Sequence, residues 1–361
     1  MECCESKVRG LEVETDARIY EVVFGQIQIE ITGRCNLCCQ HCRAAGERAL
    51  DMPIDEVVKV VRFARRYSPS YKEVVLSGGE PLLHHDISAL LAEVRAAGGR
   101  SVSLTTNGTL LAAKHLELIA SLGFDRFMLS ISLDSLDPAE HDGFRGRGGA
   151  FEAAVRAIDL AVGSSVPSLL VSVRTTIRPH QIGKLEPIAS FAYAKGCSRV
   201  SLSAIHPSGR ALSRPDLWMT PEQKRRFIEE VYRLKGLYPG TFQVSTNDPL
   251  KCLVRDYADI RGEGELVFDG CVAGTVSFNI SADGTMTPCA LMGLPMMNIS
   301  GMTVEQMAET YRTNLVVHNM LDMNLKGKCG KCSRKYQCGG CRARALGRSG
   351  DYLGEDPDCW L

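Results

Sequence analysis

Thr32-Gly33-Arg34-Cys35-Asn36-Leu37-Cys38-Cys39-Gln40-His41-Cys42 is the stretch on which the fold of this 361-residue chain turns. It follows Gln26 to Thr32, a run with the β-branched content of a strand. Cys35, Cys39 and Cys42 stand at the spacing CxxxCxxC. Three thiolates from one short loop can hold three irons of a 4Fe-4S cube and leave the fourth iron without a protein ligand, open to bind something else. A zinc knuckle is the alternative. Structural zinc takes four ligands, commonly in two CxxC pairs, and His41 is not at zinc-finger spacing. Cys38, next to Cys39, leaves the choice of the middle thiol ambiguous.

Outward from this loop, residues 25 to 210 alternate β-branched runs with amphipathic ones. Strands are expected over Gln26 to Thr32, Val74 to Ser77, Ser101 to Thr106, Met128 to Leu133, Ser168 to Ile177 and Arg199 to Ile205. Between them Ile54, Val57, Val58 and Val61, then Ile87, Leu90, Leu91 and Val94, recur at helical spacing. Strands nearly continuous in Val, Leu and Ile predict a parallel sheet covered by helices. With right-handed crossovers this is an α/β fold, an open or partial (βα)6 barrel, with function in the loops after the strands. The rhythm stops after His206 and Arg210. A helix from Pro221 to Lys235 opens a bridge over 211–265, and 266–361 is irregular and rich in Gly, Cys and Met. The expected division is therefore 1–24, 25–210, 211–265 and 266–361.

Lys+Arg and Asp+Glu are each 42, with no run of five like charges, which argues against a nucleic-acid partner. No apolar run approaches the ~18 residues of a membrane span, and the N-terminus lacks a signal peptide's order, so a cytoplasmic protein without a membrane partner is expected. The 15 cysteines are unevenly placed. In a chain of this length such clusters more often ligate metal than form disulfides, which requires a compartment that keeps thiols reduced.

The cysteine loop, its place after the first strand and the motifs that follow resemble the radical S-adenosylmethionine (SAM) superfamily. Ser77-Gly78-Gly79-Glu80-Pro81, after the second strand, is similar to the family's GGE motif, which contacts the methionine amino group of SAM. Thr105-Thr106-Asn107-Gly108 and Ser130-Ile131-Ser132-Leu133-Asp134 resemble segments lining the SAM pocket, which implies roles for Thr106, Asn107, Ser132 and Asp134 near SAM or substrate. Asn-Gly and Ser/Asp are equally turn and cap residues. The resemblance also places Arg174, His206 and Arg210 around the SAM carboxylate or adenine. Either Arg could instead be a surface ion pair.

Towards the C-terminus stand Cys271, then Gly284 with Cys289, then Cys329, Cys332, Cys338 and Cys341, then Cys359. This resembles the SPASM domain, an irregular Cys-rich α+β unit carrying auxiliary iron-sulfur clusters, although Gly339-Gly340 makes the last gap one residue shorter than the family form. The resemblance implies a distal cluster on Cys329, Cys332, Cys338 and Cys359 and a nearer one on Cys271, Cys289 and Cys341, with Cys252 or an open site as fourth ligand; structural zinc is the alternative. Cys3, Cys4, Cys38 and Cys197 have no assigned place.

What the family implies is reductive cleavage of SAM to a 5'-deoxyadenosyl radical that abstracts hydrogen from a substrate C–H bond, with electrons from a partner such as flavodoxin or ferredoxin. SPASM relatives mostly mature peptides or proteins, the first expectation for the substrate. Against it, only about 25 residues precede the first strand, too few for a winged-helix peptide-recognition domain, and Ala290 stands where anaerobic sulfatase maturases have a catalytic Asp. His41-Cys42-Arg43-Ala44 and Cys338-Gly-Gly-Cys-Arg-Ala-Arg-Ala also resemble decarboxylases of the alternative haem pathway, so a small molecule or tetrapyrrole is the second expectation. A non-catalytic electron carrier is the third.

Overall fold

The computed structural model describes residues 10–44, 50–68, 73–254 and 270–361. Cys3, Cys4 and the boundary expected at 265/266 lie outside them. A hairpin of β1 (Leu11–Glu14) and β2 (Ile19–Val22) precedes β3 (Gln26–Thr32). The chain then runs α1 (Ile54–Tyr67), β4 (Glu73–Gly78), α2 (Ile87–Ala96), β5 (Ser101–Thr106), α3 (Ala113–Leu122), β6 (Arg126–Ser132), α4 (Pro138–Arg145) and α5 (Ala150–Val162). It continues through β7 (Leu169–Ile177), α6 (Leu185–Ala194), β8 (Arg199–Ala204), α7 (Pro221–Lys235) and β9 (Gln243–Ser245). The six expected strands are present, within two residues at each end.

One sheet carries the order β3-β4-β5-β6-β7-β8-β9, all parallel, and its ends do not pair with each other, so the barrel is open. The strands alternate strictly. Ile27, Ile29, Val74, Leu76, Val102, Leu104, Leu129, Val173, Val200 and Leu202 are buried under the helices. Their neighbours Gln28, Ser77, Ser103, Ser130, Ser172, Arg174, Ser201 and Ser203 line a cavity. The expectation of near-continuous apolar strands is corrected here: the inner face meets an open cavity, so it carries hydroxyls and amides. First residues of the strands close the lower end. Glu73 accepts from Gln26 Nε2 (2.9 Å) and Arg126 Nη1 (2.8 Å), and Arg199 donates to Gln243 (2.6 Å).

The βα rhythm does not stop where the sequence suggested. After α7, β9 extends the sheet beside β8, and β10 (Ser277–Ile280), β11 (Thr285–Thr287) and β12 (Met297–Asn298) extend it beyond β3, β10 in parallel and the others antiparallel. The bridge and the start of the Cys-rich region thus build the two flanks of the same sheet. Helix α7 begins where Thr220 caps the Gln223 N–H and Pro221 fills the first turn, a pattern written in the sequence. Five further helices follow: α8 (Val304–Arg312), α9 (Leu315–Leu321), α10 (Gly327–Lys331), α11 (Lys335–Cys338) and α12 (Arg342–Ser349). A buried ionic network ties α12 to the barrel. Arg344 reaches Asp248 (2.7 Å), Asp356 (2.7 Å) and Asp358 (3.5 Å), while Lys224 of α7 reaches Asp248 (2.9 Å) and Asp358 (3.4 Å).

Candidate active site

The loop after β3 is pinned from four sides. Arg34 bonds Asp51 and the Leu83 carbonyl. Gly79 N donates to Thr32 O (2.8 Å) and Glu80 N to Arg34 O (2.7 Å), so the turn after β4 lies directly on the cysteine loop. A Cβ at Gly79 would stand 2.1 Å from Arg34 O, which is why that position has no side chain. From the other side Cys38 N donates to Arg145 O (3.2 Å) and Gln40 N to Phe144 O (2.9 Å). Arg210 donates through Nη1 to Cys39 O (2.9 Å) and through its backbone N to Cys42 O (2.9 Å). Arg210 is thus a clamp on the outside of the loop and does not line the cavity, contrary to the place expected for it.

Cys35, Cys39 and Cys42 face an open cavity of about 1580 Å³ at the upper ends of the strands. Cys38 is exposed and not among the residues that line it, whereas Cys39 is buried against it. Burial pushes the Cys39 thiol up to about 11, against the pull of the Arg145 charge, whose Nη1 lies 3.9 Å from the sulfur. Asp134 is corrected from a cavity residue to a support behind it. It is fully buried, pairs with Arg145 Nε (2.6 Å), and accepts from Thr176 N (2.8 Å), so it fixes the arginine beside Cys39. Arg145 itself went unnoticed in the sequence.

Glu80 has 0% exposure and, unlike its neighbours Gly78 and Gly79, does not line the cavity, so it stands behind the wall where the resemblance had placed it in contact with SAM. It accepts from Thr106 Oγ1 (2.7 Å), Asn107 N (2.7 Å) and Leu82 N (3.2 Å), and among the described residues no Lys or Arg lies within ion-pair distance. Burial raises its pKa, and these hydrogen bonds oppose the rise. Thr106 and Asn107 therefore position Glu80; the Asn107 amide also donates to Asn36 (2.9 Å), tying this turn to the cysteine loop. Gly78, Gly79, Thr106, Asn107, Ser132 and Arg174 line the cavity. Arg174 projects from the middle of the barrel and is exposed to the cavity, with no carboxylate at ion-pair distance among the described residues; desolvation by the surrounding walls and the Arg43 charge lower its pKa. His41 stacks on Phe144 at 4.4 Å, and burial lowers it to about 4, so it is a neutral wall of the cavity.

The C-terminal thiols form two groups. Cys329, Cys332, Cys338 and Cys359 line one cavity of about 610 Å³. Cys271 and Cys341 pack with Cys289, Met292 and Met320, next to Leu291, which reaches the main cavity. The separation depends on Gly339 and Gly340, whose φ of +63° and +57° turn Cys338 and Cys341 to opposite sides. Cys252 is fully buried and packs with Cys338 and Cys359, so it stands with the distal group and not with Cys271, Cys289 and Cys341. Cys197 is buried in the barrel core, where burial pushes its thiol up to about 12.

Four of these sulfurs accept a backbone N–H from two residues on: Leu37 to Cys35 (3.4 Å), Leu291 to Cys289 (3.3 Å), Arg334 to Cys332 (3.4 Å) and Gly340 to Cys338 (3.3 Å). Such donors favour thiolate over thiol. Thiolates around one zinc ion at ~2.3 Å would hold their sulfurs ~3.8 Å apart. Among the described residues no three cysteine sulfurs lie within 4.8 Å of one another. The trio that is this close, Asp51, His84 and His85, is occupied internally: His84 Nδ1 accepts from Asp86 N (3.2 Å) and Nε2 donates to Met52 O (3.1 Å).

A family model described as the Radical SAM superfamily matches residues 29–192. The AdoMet-dependent heme synthase of Methanosarcina barkeri is 30% identical over 351 residues, covering 91% of this chain and 94% of that protein. The PqqA peptide cyclase of Methylocella silvestris is 25% identical, covering 92% and 86%. Among solved structures, Streptococcus suis SuiB bound to S-adenosylmethionine superposes with a TM-score of 0.74 at 18% identity, over 94% of this chain and 78% of that one.

Proposed function

The chain belongs to the radical SAM superfamily, and on that premise we propose that it is a SPASM-type enzyme whose substrate is a peptide or protein side chain, held with SAM in the barrel cavity. The observation that carries the reading is Glu80, a buried carboxylate with no Lys or Arg within ion-pair distance among the described residues, on a turn hydrogen-bonded to the loop bearing Cys35, Cys39 and Cys42. In this reading the three thiolates hold a 4Fe-4S cluster. With SAM such a cluster would supply one-electron reductive cleavage to methionine and a 5'-deoxyadenosyl radical able to take hydrogen from an unactivated C–H bond.

The protein's own residues then bind, orient and exclude water. In this reading Glu80, behind the wall that Gly78 and Gly79 present to the cavity, meets the amino group of SAM, an interaction strengthened where solvent is excluded. Arg174 offers the planar fork that suits a carboxylate. Gly78 and Gly79 keep the turn low enough for contact, and Ser132 adds a hydroxyl on the wall. Asp134, through Arg145, holds positive charge beside Cys39. Cys271, Cys289 and Cys341, adjoining the cavity through Leu291, hold the near auxiliary cluster; Cys329, Cys332, Cys338 and Cys359 hold the distal one. Residues 25–210 form the SAM core, 211–265 bridge it, and 266–361 form the auxiliary-cluster domain. Reducing equivalents come from a flavodoxin or ferredoxin.

A tetrapyrrole substrate is the second reading, favoured by full-length similarity to proteins named heme synthase, at 30% and 27% identity. The test separates them. Anaerobically reconstituted enzyme is incubated with reductant and SAM, with either a short Cys- or Gly-rich peptide encoded beside its gene or an iron porphyrin. A SAM-dependent mass change confined to the peptide supports the first reading. A change confined to the porphyrin, with coloured porphyrin copurifying, overturns it for the second.

A further inference from the structure

Two arginines on α12 are fully buried, and they differ in one respect. Arg344 is surrounded by Asp248, Asp356 and Asp358. Arg342, at 0% exposure, has no carboxylate within ion-pair distance among the described residues. Its Nη1 donates to the carbonyls of Tyr352 (3.0 Å) and Gly354 (2.6 Å), and its Nε approaches Gly340 O (3.4 Å). Its Nη2 is directed at Cys329 Sγ, 3.8 Å away. The space for it is built in. A Cβ at Gly340 would stand 2.5 Å from that Nη2 and 3.4 Å from the same sulfur.

An arginine stays ionised even when buried, and an uncompensated buried charge is strongly disfavoured. Carbonyl dipoles satisfy its hydrogens without neutralising it. The Asp351 charge acts on Arg342 from beyond ion-pair distance, but that carboxylate is partly exposed and paired with Lys326 (2.7 Å), which leaves the direction in which the arginine's last N–H points, the cavity lined by Cys329, Cys332, Cys338 and Cys359, as the place for a closer negative charge. We infer that Arg342 is the counter-ion of the distal cluster and sets its reduction potential. This rests on the proposal that these four thiolates bind a 4Fe-4S cluster. With four thiolates such a cluster carries two negative charges when oxidised and three after taking one electron, so a fixed neighbouring cation favours the reduced form. The same sulfur also accepts from Asp356 N (3.4 Å), which acts in the same direction.

The test uses the full-length chain, anaerobically reconstituted, with Cys35, Cys39 and Cys42 replaced by Ala so that only auxiliary clusters report. Arg342→Met removes the charge and keeps the length; Arg342→Lys keeps the charge. Iron content and dithionite-driven potentiometric titration followed by electron paramagnetic resonance are measured for each. Removing the cation disfavours cluster reduction by about tenfold, a fall in one midpoint of about 59 mV for a one-electron couple. Arg342→Lys stays within a third of that. Loss of four irons in the Met variant alone, with Lys iron-replete, supports the same role. Unshifted midpoints in an iron-replete Met variant overturn the inference, as does an equal effect of Met and Lys, which would mark a packing role. If the background protein binds no iron, the cluster reading fails instead, a result distinct from any outcome at Arg342.

Discussion

Replacing Glu80 with Gln removes one charge from behind the cavity wall of Gly78, Gly79, Thr106 and Asn107 and leaves its shape nearly unchanged. Glu80 is fully buried, so solvent does not screen it, and an ammonium placed against it forms a charge-assisted hydrogen bond worth about 1.5–3 kcal/mol. At about 1.4 kcal/mol per decade the variant binds SAM about 10- to 150-fold more weakly. The ligand-free protein responds differently. A buried carboxylate with no cation at hand is a cost to the empty fold, and the Gln oxygen can still accept from Thr106 and Asn107. The empty variant therefore melts at the same temperature or higher. Burial raises the Glu80 pKa, and a carboxylate is charged only above its pKa, so wild-type affinity falls as pH drops through that raised value while the Gln variant shows no such dependence. Anaerobic equilibrium dialysis with SAM, with iron per chain and melting temperature measured on the same samples, is the assay. Unchanged affinity at unchanged iron content would refute the role given to Glu80.

Three further outcomes follow from the packing. Gly79→Ala forces a Cβ to 2.1 Å from Arg34 O, which must separate the turn from the cysteine loop; iron drops by about four per chain while the C-terminal iron stays, as metal analysis will check. Arg145→Met leaves Asp134 buried without its cation and costs about 3–5 kcal/mol in urea unfolding, whereas Arg145→Met with Asp134→Asn recovers most of it. Asp248, held well below the ordinary carboxylate range by Arg344 and Lys224 despite its burial, contributes stability that is complete above about pH 4 and lost as the pH falls further; the Asp248→Asn variant shows a flatter acid limb in thermal melts.

The parallel strands were legible because each carries branched residues at every second position, and that outer set alone suffices to mark a strand. The inner set, Gln28, Ser103, Ser130, Ser172 and Ser201, was equally visible but went unused: such alternation in a parallel sheet signals a cavity where packed layers would be expected. Strands β9 to β12 were not legible, being two to four residues long and held by neighbours distant in sequence. The two C-terminal cysteine groups came from the resemblance to the SPASM pattern, and in the fold Gly339-Gly340 turns Cys338 and Cys341 to different sides. Cys252 could not be placed, since nothing between 252 and 271 fixes which side of the C-terminal region it packs on. Asp134 and Arg210 resembled ligand contacts because the motif places them near the site, yet each bonds protein atoms that support the loop. Arg145 carries no motif, and Arg342 stands in the Cys338-Gly-Gly-Cys-Arg-Ala-Arg-Ala stretch without a role of its own there; what each one faces appears only with burial and its neighbours in the fold.

The central claim is that Cys35, Cys39 and Cys42 leave one iron of a cube open to SAM. Anaerobic reconstitution with iron and sulfide, followed by reduction in the presence of SAM, measures it through the nucleoside released. Wild-type chain with about 12 irons yields 5'-deoxyadenosine. The triple Ala variant, with the C-terminal iron intact, yields none. Nucleoside from the variant, or none from the iron-replete wild type, contradicts the account.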